Sequence, residues 1–216
     1  MDGVLVDSQI WWHEVRVEFA QAHGRVWTTE LEVATMGANS HEWALMMRDW
    51  LDLTMSAEAI ERAIVDGVVE RFRLEGAPQI DGAVDAVRRI ASGRPVAVAS
   101  SAHHDVIDAA LAAIDLSALF AAIVSSDDVT RGKPAPDVYL EAARRLGADP
   151  SRCLVVEDSI NGVRAGIAAG MTVVLIPNEA VPPAPGAHDL ADVVLERLAD
   201  LDPAVIAPGR AASHPG

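Results

Sequence analysis

The residues of greatest chemical interest in this sequence are three carboxylates, one hydroxyl and one ammonium group. They are Asp2, Ser100, Lys133, Glu157 and Asp158. Carboxylates gathered in one place repel one another unless a cation joins them, and hard oxygen ligands with room for water suit Mg²⁺. A magnesium ion would offset the charge of these acids and of a bound phosphate, so the set points to chemistry on phosphorylated compounds.

Lys133 is distinctive because it is the only lysine in the chain. The sequence has 17 basic residues, and the others are all arginine. A composition so biased toward arginine reflects genome base content. Against that background a lone lysine marks a place where a compact point charge serves better than a planar fork. The alternative is chance survival of a single lysine.

Taken one at a time, the other candidates have plainer interpretations. A serine at the end of a strand, such as Ser100, is more typical of a helix cap. An acidic pair such as Glu157–Asp158 is more typical of a solvated turn. The prediction of a site therefore depends on the convergence of these residues.

The elements that must position them can be predicted from four short, apolar, β-branched runs. These are Val96–Ser100, Ala122–Ser125, Leu154–Glu157 and Thr172–Ile176. Helical patterns lie between them, near 103–113, 137–146 and 160–169. Alternating strands and helices predict an α/β fold with a parallel, Rossmann-like sheet. Ligands of such sheets bind at the carboxyl ends of the strands, where Ser100 and Glu157 stand.

Residues 9–80 differ, because they show helical periodicity and no convincing strand. All five tryptophans of the chain lie there, and we interpret them as the core of a helical insert. The predicted organisation is a sheet core formed by 1–8 and 81–200, an inserted α-helical cap at 9–80, and a disordered tail at 201–216 rich in Pro, Ala and Gly.

Composition excludes several classes of function. The formal charge of −15 argues against nucleic acid and anionic membranes as partners. A single cysteine excludes an internal disulfide, and no apolar run approaches the ~20 residues of a membrane helix. We therefore expect a cytoplasmic protein, monomeric or weakly homodimeric, whose partner is a small phosphorylated molecule.

Four segments carry a resemblance to a known family. They are Asp2-Gly3-Val4-Leu5-Val6-Asp7-Ser8, Ser100-Ser101, Gly132-Lys133-Pro134-Ala135-Pro136-Asp137, and Glu157 to Gly166. In this order, with a helical insert after the first, the chain resembles the haloacid dehalogenase-like hydrolases. The branch is the one that contains phosphoglycolate-phosphatase-like and β-phosphoglucomutase-like enzymes.

The resemblance implies a role for each residue. Asp2 matches the residue that acts as general acid and then general base, and its backbone carbonyl matches a metal ligand. Gly3 matches the residue that lets the backbone turn closely beside the phosphate. Lys133 matches the ammonium that holds the phosphate. Other implied roles are phosphate binding for Ser100 and Ser101, metal ligation for Asp158, direct or water-mediated ligation for Glu157, and substrate contact from the cap for Gly37 and Asn39.

The resemblance also implies a nucleophilic aspartate directly before Met1, presented by a first core strand that precedes it. A sheet without its central strand would leave unpaired backbone groups, at roughly 1–3 kcal/mol each, in a domain stable by ~5–15 kcal/mol. Our hypothesis is a start about ten residues upstream, and we expect the chain from Met1 to be inactive without the nucleophile.

The predicted function is a Mg²⁺-dependent phosphatase that acts on a small phosphomonoester, such as a sugar phosphate, through an aspartyl-phosphate. One alternative is a sugar-phosphate mutase. In the β-phosphoglucomutases of this branch, an arginine that holds a second phosphate lies three residues after a glycine that matches Gly37. Here that position is Ser40, which favours hydrolysis. The other alternative is a catalytically dead phosphate-binding module.

Overall fold

The protein is an α/β structure, seen in a computed structural model that describes residues 1–35, 40–178, 182–202 and 204. Its helices are α1 (Gln9–Ala22), α2 (Thr29–Thr35), α3 (Ser40–Trp50), α4 (Ala57–Glu75), α5 (Ala83–Ala91), α6 (His104–Ala113), α7 (Asp137–Leu146), α8 (Ile160–Ala168) and α9 (Ala187–Leu190). Its strands are β1 (Val96–Ser100), β2 (Phe120–Ser125), β3 (Leu154–Glu157), β4 (Thr172–Leu175) and β5 (Val193–Val194). The predicted α/β class is confirmed.

The strands form two parallel sheets. β1 pairs with β2, and β3 pairs with β4, which in turn pairs with β5. Two predicted strand ends were wrong by one or two residues, because β2 already begins at Phe120 and β4 ends at Leu175. Helix α8 begins directly after Ser159, whose side chain caps it by accepting a hydrogen bond from the Gly162 N–H.

Helices α1 to α4 occupy the segment that we predicted to be helical. The longest, α4, carries Ile60, Ile64, Val68 and Phe72 at intervals of four, so these side chains share one face, and all four are buried. Trp11 of α1 packs edge-on against Phe72, with ring centroids 4.9 Å apart. These side chains belong to one apolar cluster that also contains Val98 of β1, so the helical segment shares its core with the sheet region. The prediction that all five tryptophans form a core was wrong for Trp50, which is 45% exposed.

The first eight residues and the segment after α4 meet beside the sheets. The Asp7 N–H donates to the Pro78 carbonyl at 2.9 Å, and the Ile80 N–H donates to the Leu5 carbonyl at 3.0 Å. Gly3 turns the chain with a φ of 73°, a conformation that glycine adopts without steric cost. This turn brings Gly3 against Asp158, directly after the carboxyl end of β3.

Two predictions fall partly or wholly outside the described residues. Gly37 and Asn39 lie outside them, as does most of the predicted tail at 201–216. No helix in the described part of the chain is both long and apolar enough to span a bilayer.

Candidate active site

Lys133 links the carboxyl ends of β1 and β3. Its ammonium group donates to the Ala99 carbonyl at 3.2 Å and to Glu157 Oε1 at 2.5 Å. Both charged side chains are shielded from solvent, with only 10% of the lysine and 8% of the glutamate exposed. The loop that carries the only lysine of the chain therefore places its charge between two separate strands.

Glu157 is the most fully engaged acid of the site. Tyr139 donates to its Oε1 at 2.6 Å, and the backbone N–H and hydroxyl of Ser159 donate to its Oε2 at 3.2 and 2.9 Å. Burial by itself would raise the pKa of Glu157, but the charge of Lys133 and these hydrogen bonds lower the pKa to about 2. A Cβ at Gly162 would overlap the Glu157 carboxylate, so the helix start can approach it only with glycine there.

Asp158 has the opposite balance. Burial and the neighbouring charges of Glu157 and Asp2 raise its pKa to about 7, although Lys133 and the Met1 ammonium oppose the shift. Gly3 lies directly against this side chain, because a Cβ at Gly3 would overlap the Asp158 carboxylate. The first segment of the chain and the end of β3 thus meet at this acid.

Asp2 is held by a residue whose role the sequence analysis missed. The Ser8 N–H and hydroxyl donate to the two oxygens of the Asp2 carboxylate at 3.0 and 2.8 Å. Ser8 stands at the N-cap position of α1, but its side chain makes no capping hydrogen bond. Burial raises the pKa of Asp2, against the effect of these two hydrogen bonds. A raised pKa favours the protonated form of the acid, which is the form that can protonate a leaving group.

Ser100 is buried at the end of β1, and the helix-cap interpretation of it was wrong. The N-cap of α6 is His103, whereas the Ser100 hydroxyl accepts from the Ala102 N–H at 3.2 Å in a local turn. Ser101 follows it, exposed, and its carbonyl accepts from the Ser126 hydroxyl at 2.8 Å. Ser100 sits beside Ala99, the residue whose carbonyl Lys133 contacts.

The α-amino group of Met1 is buried in the same cluster. Burial and the charge of Lys133 lower its pKa, while Glu157, Asp158 and Asp2 act to raise it. Lys133, Glu157, Asp158 and Asp2 therefore lie close together, and Ser100 follows Ala99, whose carbonyl Lys133 contacts.

The donor set fits a cation in part. Asp158 fits, because burial leaves it at a raised pKa among other acids, the state that a bound cation would relieve. Glu157 fits a water-mediated role better than a direct one, because Lys133, Tyr139 and Ser159 already occupy its oxygens. Across the described ranges, no three Asp, Glu, His or Cys side chains come together as a metal site on their own.

A second polar cluster joins the helical segment to the sheets, and nothing in the sequence pointed to it. His103 contacts Glu61 of α4 through Nε2 at 2.5 Å and Asp127, just after β2, through Nδ1 at 2.9 Å. Arg62 of α4 also pairs with Asp105 of α6 at 2.8 Å. These contacts fix α4 over the loop that follows Ser100 and Ser101.

Comparison with known proteins agrees with the fold. The sequence model of the family of haloacid dehalogenase-like hydrolases matches residues 1–170 of this chain. The chain therefore belongs to the haloacid dehalogenase-like hydrolases.

Several relatives cover most of the chain. It is 34% identical to "Probable pseudouridine-5'-phosphatase" of Drosophila melanogaster, over 94% of this chain and 89% of that protein. It is 29% identical to hexitol phosphatase B of Escherichia coli, over 93% and 91%. It is also 29% identical to the bifunctional riboflavin kinase/FMN phosphatase of Arabidopsis thaliana, of which it spans 52%.

The fold is similar to that of solved structures. CbbY from Rhodobacter sphaeroides, crystallised with phosphate, has a TM-score of 0.80 at 24% identity, over 93% of this chain and 92% of that chain. At this identity the likeness shows the fold alone.

Proposed function

We propose that the protein is a phosphatase that hydrolyses a small phosphomonoester through a covalent aspartyl-phosphate. The observation that carries this proposal is one meeting point of a buried lysine and two acids of raised pKa, at the carboxyl ends of parallel strands. Strongly perturbed acids beside a buried cation are typical of catalytic sites. The phosphatases among its relatives support the same reaction class.

The nucleophile in this proposal is an aspartate joined directly to the Met1 nitrogen. Its carboxylate attacks phosphorus, the bond to the leaving oxygen breaks, and that oxygen takes the proton of Asp2. Water then attacks the same phosphorus, Asp2 accepts the proton of the water, and the acyl-phosphate bond breaks to give phosphate and the free aspartate. The raised pKa of Asp2 suits the first step, because burial favours the protonated form that donates to the leaving oxygen.

Phosphate binding falls to the groups around Lys133. Its ammonium and the Ser100 hydroxyl lie on adjacent parts of the β1 end, and the Ser101 N–H follows. Lys133 also neutralises Glu157, so the anion meets less negative charge at this point.

The proposed cofactor is Mg²⁺, which Asp158 and the Asp2 carbonyl would bind directly and Glu157 would bind through water. Bound there, the ion would neutralise charge on the phosphate and on the nucleophile. The raised pKa of Asp158 supports a cation as its missing partner.

The substrate class follows from the relatives and from the helical segment. Two relatives are named for a nucleoside 5′-phosphate and for hexitol phosphates, so a phosphorylated sugar or polyol is the class we propose. Helices α1 to α4 would act as a cap that excludes water and contacts the part of the substrate beyond phosphate. Ser40, at the start of α3, stands where the similar mutases have an arginine and carries no charge to hold a second phosphate, so we favour hydrolysis over the mutase alternative.

A phosphate-release assay with a panel of sugar and polyol phosphates tests the proposal. The protein should be made with aspartate before Met1, on a preceding apolar strand, and compared with the 216-residue chain. We expect Mg²⁺-dependent release only from the extended protein. Asp158→Ala should abolish release, whereas Asp189→Ala, at an exposed acid of α9, should not.

Three outcomes would contradict the proposal. Isomer interconversion without net phosphate release would indicate the mutase. Binding of inorganic phosphate with no turnover on any substrate would indicate a binding module. Full activity in Asp158→Ala would remove Asp158 from the site.

A further inference from the structure

His103 lies between two carboxylates that come from different parts of the molecule. It directly precedes α6, just after the loop that carries Ser100 and Ser101. Its Nε2 atom is 2.5 Å from Glu61 Oε1 of α4, and its Nδ1 atom is 2.9 Å from Asp127 Oδ2, in the turn after β2. One imidazole ring therefore joins the helical segment to the sheet region.

The two contacts together require the charged form of the His103 ring. A neutral imidazole has one N–H and one lone pair, so only the imidazolium presents a proton to both carboxylates. The Nε2 atom is buried and has no aligned hydrogen-bond partner among the described residues, so its contact with Glu61 depends on attraction between charges. Only 21% of the His103 side chain and 16% of the Glu61 side chain are exposed, so water screens this attraction less than at an open surface.

The other charged groups on the helical side cannot take the place of His103. His41 of α3 also approaches Glu61, but at 3.8 Å and from an exposed position. Arg62 of α4 pairs with Asp105 of α6 at 2.8 Å, with more than half of each side chain exposed, and ion pairs so exposed contribute little. Among these contacts, the one through His103 is the most shielded link between α4 and the sheet region.

The charged groups on the sheet side hold the other end of this link in place. The backbone N–H of His104 donates to Asp127 at 3.4 Å. The His104 ring contacts Asp128 at 3.0 Å, and Arg145 of α7 contacts the same acid at 3.1 Å. These contacts stay within the sheet region, so the charge of His104 does not join the two parts of the molecule.

The contact with Glu61 lies far along α4 from the connections of the helical segment. These connections run side by side, because the Asp7 N–H donates to the Pro78 carbonyl at 2.9 Å. Glu61 is about four turns, or about 21 Å, from the end of α4 at Glu75. A contact so far from the connections restrains any rotation of the helical segment about them.

We propose that His103 is a charge-dependent latch for the helical segment. Its imidazolium holds the first turns of α4 against the loop of Ser100 and Ser101. Loss of the ring proton leaves a lone pair facing a carboxylate oxygen, which repels it, and releases α4 from the loop. Histidine side chains change charge between about pH 5 and pH 8, so the latch is closed at the acid end of this range and open at the other end.

The consequence for turnover rests on the proposed function. Ser100 and Ser101 are the groups that we propose for phosphate binding, so release of α4 above them would admit substrate and let product leave. His103 is in this respect a positioning residue, since it acts through the helical segment. The latch itself is argued from contacts in the free protein and can be tested without substrate.

Hydrogen exchange of the 216-residue chain tests the latch. Exchange is followed in peptides covering 57–65 and 100–107 from about pH 5 to pH 8, and is expressed as protection relative to the unfolded chain at the same pH. His103→Gln cannot carry a charge, and in Glu61→Gln the amide can donate to a neutral ring or accept from it. His104→Gln is the matched control, because the partner of that ring, Asp128, lies in the sheet region.

We expect protection of both peptides in the parent protein to fall about tenfold from the acid to the alkaline end, because the folded state binds the ring proton more tightly while the latch is closed. In His103→Gln and Glu61→Gln the change should stay within about twofold, and His104→Gln should respond as the parent does. Asp158 also releases a proton in this range, but it is present in all four proteins and cannot account for a difference among them.

Equal pH dependence in the parent and in His103→Gln would overturn the latch. If His103→Gln does not fold, Glu61→Gln decides, since its ring is intact: a full tenfold response there would overturn the latch as well. A response that is lost in His104→Gln and kept in Glu61→Gln would assign the pH dependence to the sheet region alone and contradict the proposal. None of these outcomes depends on phosphate release, so a failure of the proposed function would be seen separately.

Discussion

The helical segment and the sheets each bury a cluster of charged groups, but only the cluster in the helical segment is balanced. There Arg16 and Glu32 form an ion pair at 2.8 Å, with 10% and 15% of their side chains exposed. Trp27 and His13 also hydrogen-bond to Glu32. The Arg16 guanidinium lies 5.5 Å from the rings of Trp12 and Trp43. One cation, one anion and aromatic faces complete the cluster.

The cluster between β1 and β3 has an excess of negative charge. Lys133 satisfies Glu157, while Asp158 and Asp2 remain with raised pKa values. A buried structural pair is arranged like the Arg16 cluster, with each charge compensated. An uncompensated buried acid has a free-energy cost that a cation or a proton must relieve, which is the condition a catalytic site uses.

The largest effect should come from removing the cation of either pair. Lys133→Met and Arg16→Met each remove the permanent positive charge beside a buried carboxylate, and we expect each to lower the free energy of unfolding by about 3–5 kcal/mol. Urea titrations check this. All five tryptophans lie between residues 11 and 50, so their fluorescence reports on the helical segment and far-UV circular dichroism on the whole protein. A Lys133→Met protein as stable as its parent would show that the lysine is not a buried partner of Glu157.

The turn at Gly3 offers the next test, with Gly24 as a matched control. Both glycines have positive φ, at 73° and 68°, but a Cβ meets Asp158 at Gly3 and nothing within 4 Å at Gly24. Gly24→Ala should lower the free energy of unfolding by about 1–2 kcal/mol, because alanine disfavours the left-handed backbone. Gly3→Ala should lower the free energy of unfolding by about 1–3 kcal/mol more, because the added Cβ overlaps the Asp158 carboxylate. Thermal melts of the two variants give the difference, and equal losses would contradict the close approach of Gly3 to Asp158.

The stability of the sheet region should fall as pH rises. Asp158 has its pKa raised from 3.8 to about 7. The folded protein therefore keeps a proton that the unfolded chain loses across this window. At ~1.4 kcal/mol per pKa unit, we expect a loss of about 2–4 kcal/mol between pH 4 and pH 8 without divalent metal. Asp158→Asn should flatten this dependence in urea titrations. An unchanged slope in the variant would contradict the raised pKa.

The helical segment should show the opposite, smaller dependence. Burial alone would raise the pKa of Glu32, but hydrogen bonds from Trp27 and His13 and the charge of Arg16 lower it. Stability from this acid is present above its ordinary pKa near 4.5 and is lost as pH falls through the lowered value. Tryptophan fluorescence during acid titration measures it, and Glu32→Gln should remove this part of the transition. A transition that is the same in Glu32→Gln would assign the acid sensitivity to another group.

Much of the sheet region could be predicted from sequence because its signals are local. Strands such as Leu154–Glu157 are short apolar runs between turns, as predicted. The convergence of Ser100, Lys133 and Asp158 follows from the rule that parallel strands end at one edge.

What sequence could not give were the contacts between distant segments. The Ser8 hydroxyl donates to Asp2 instead of capping its own helix, and Tyr139 donates to Glu157 from α7, the helix that precedes β3. The Arg16–Glu32 pair and the His103 contact with Glu61 also depend on tertiary packing that no local pattern encodes. Oligomeric state and cellular compartment stay predictions.

The most direct test of the account is the intact mass of the Asp-extended protein, quenched during turnover with Mg²⁺ and a hydrolysed substrate. We predict an added phosphoryl group on the peptide that spans the junction with Met1. A protein with asparagine in place of the aspartate before Met1 should not gain the phosphoryl group. Phosphate release with no covalent increment, or an increment on a peptide far from Met1, would contradict the account.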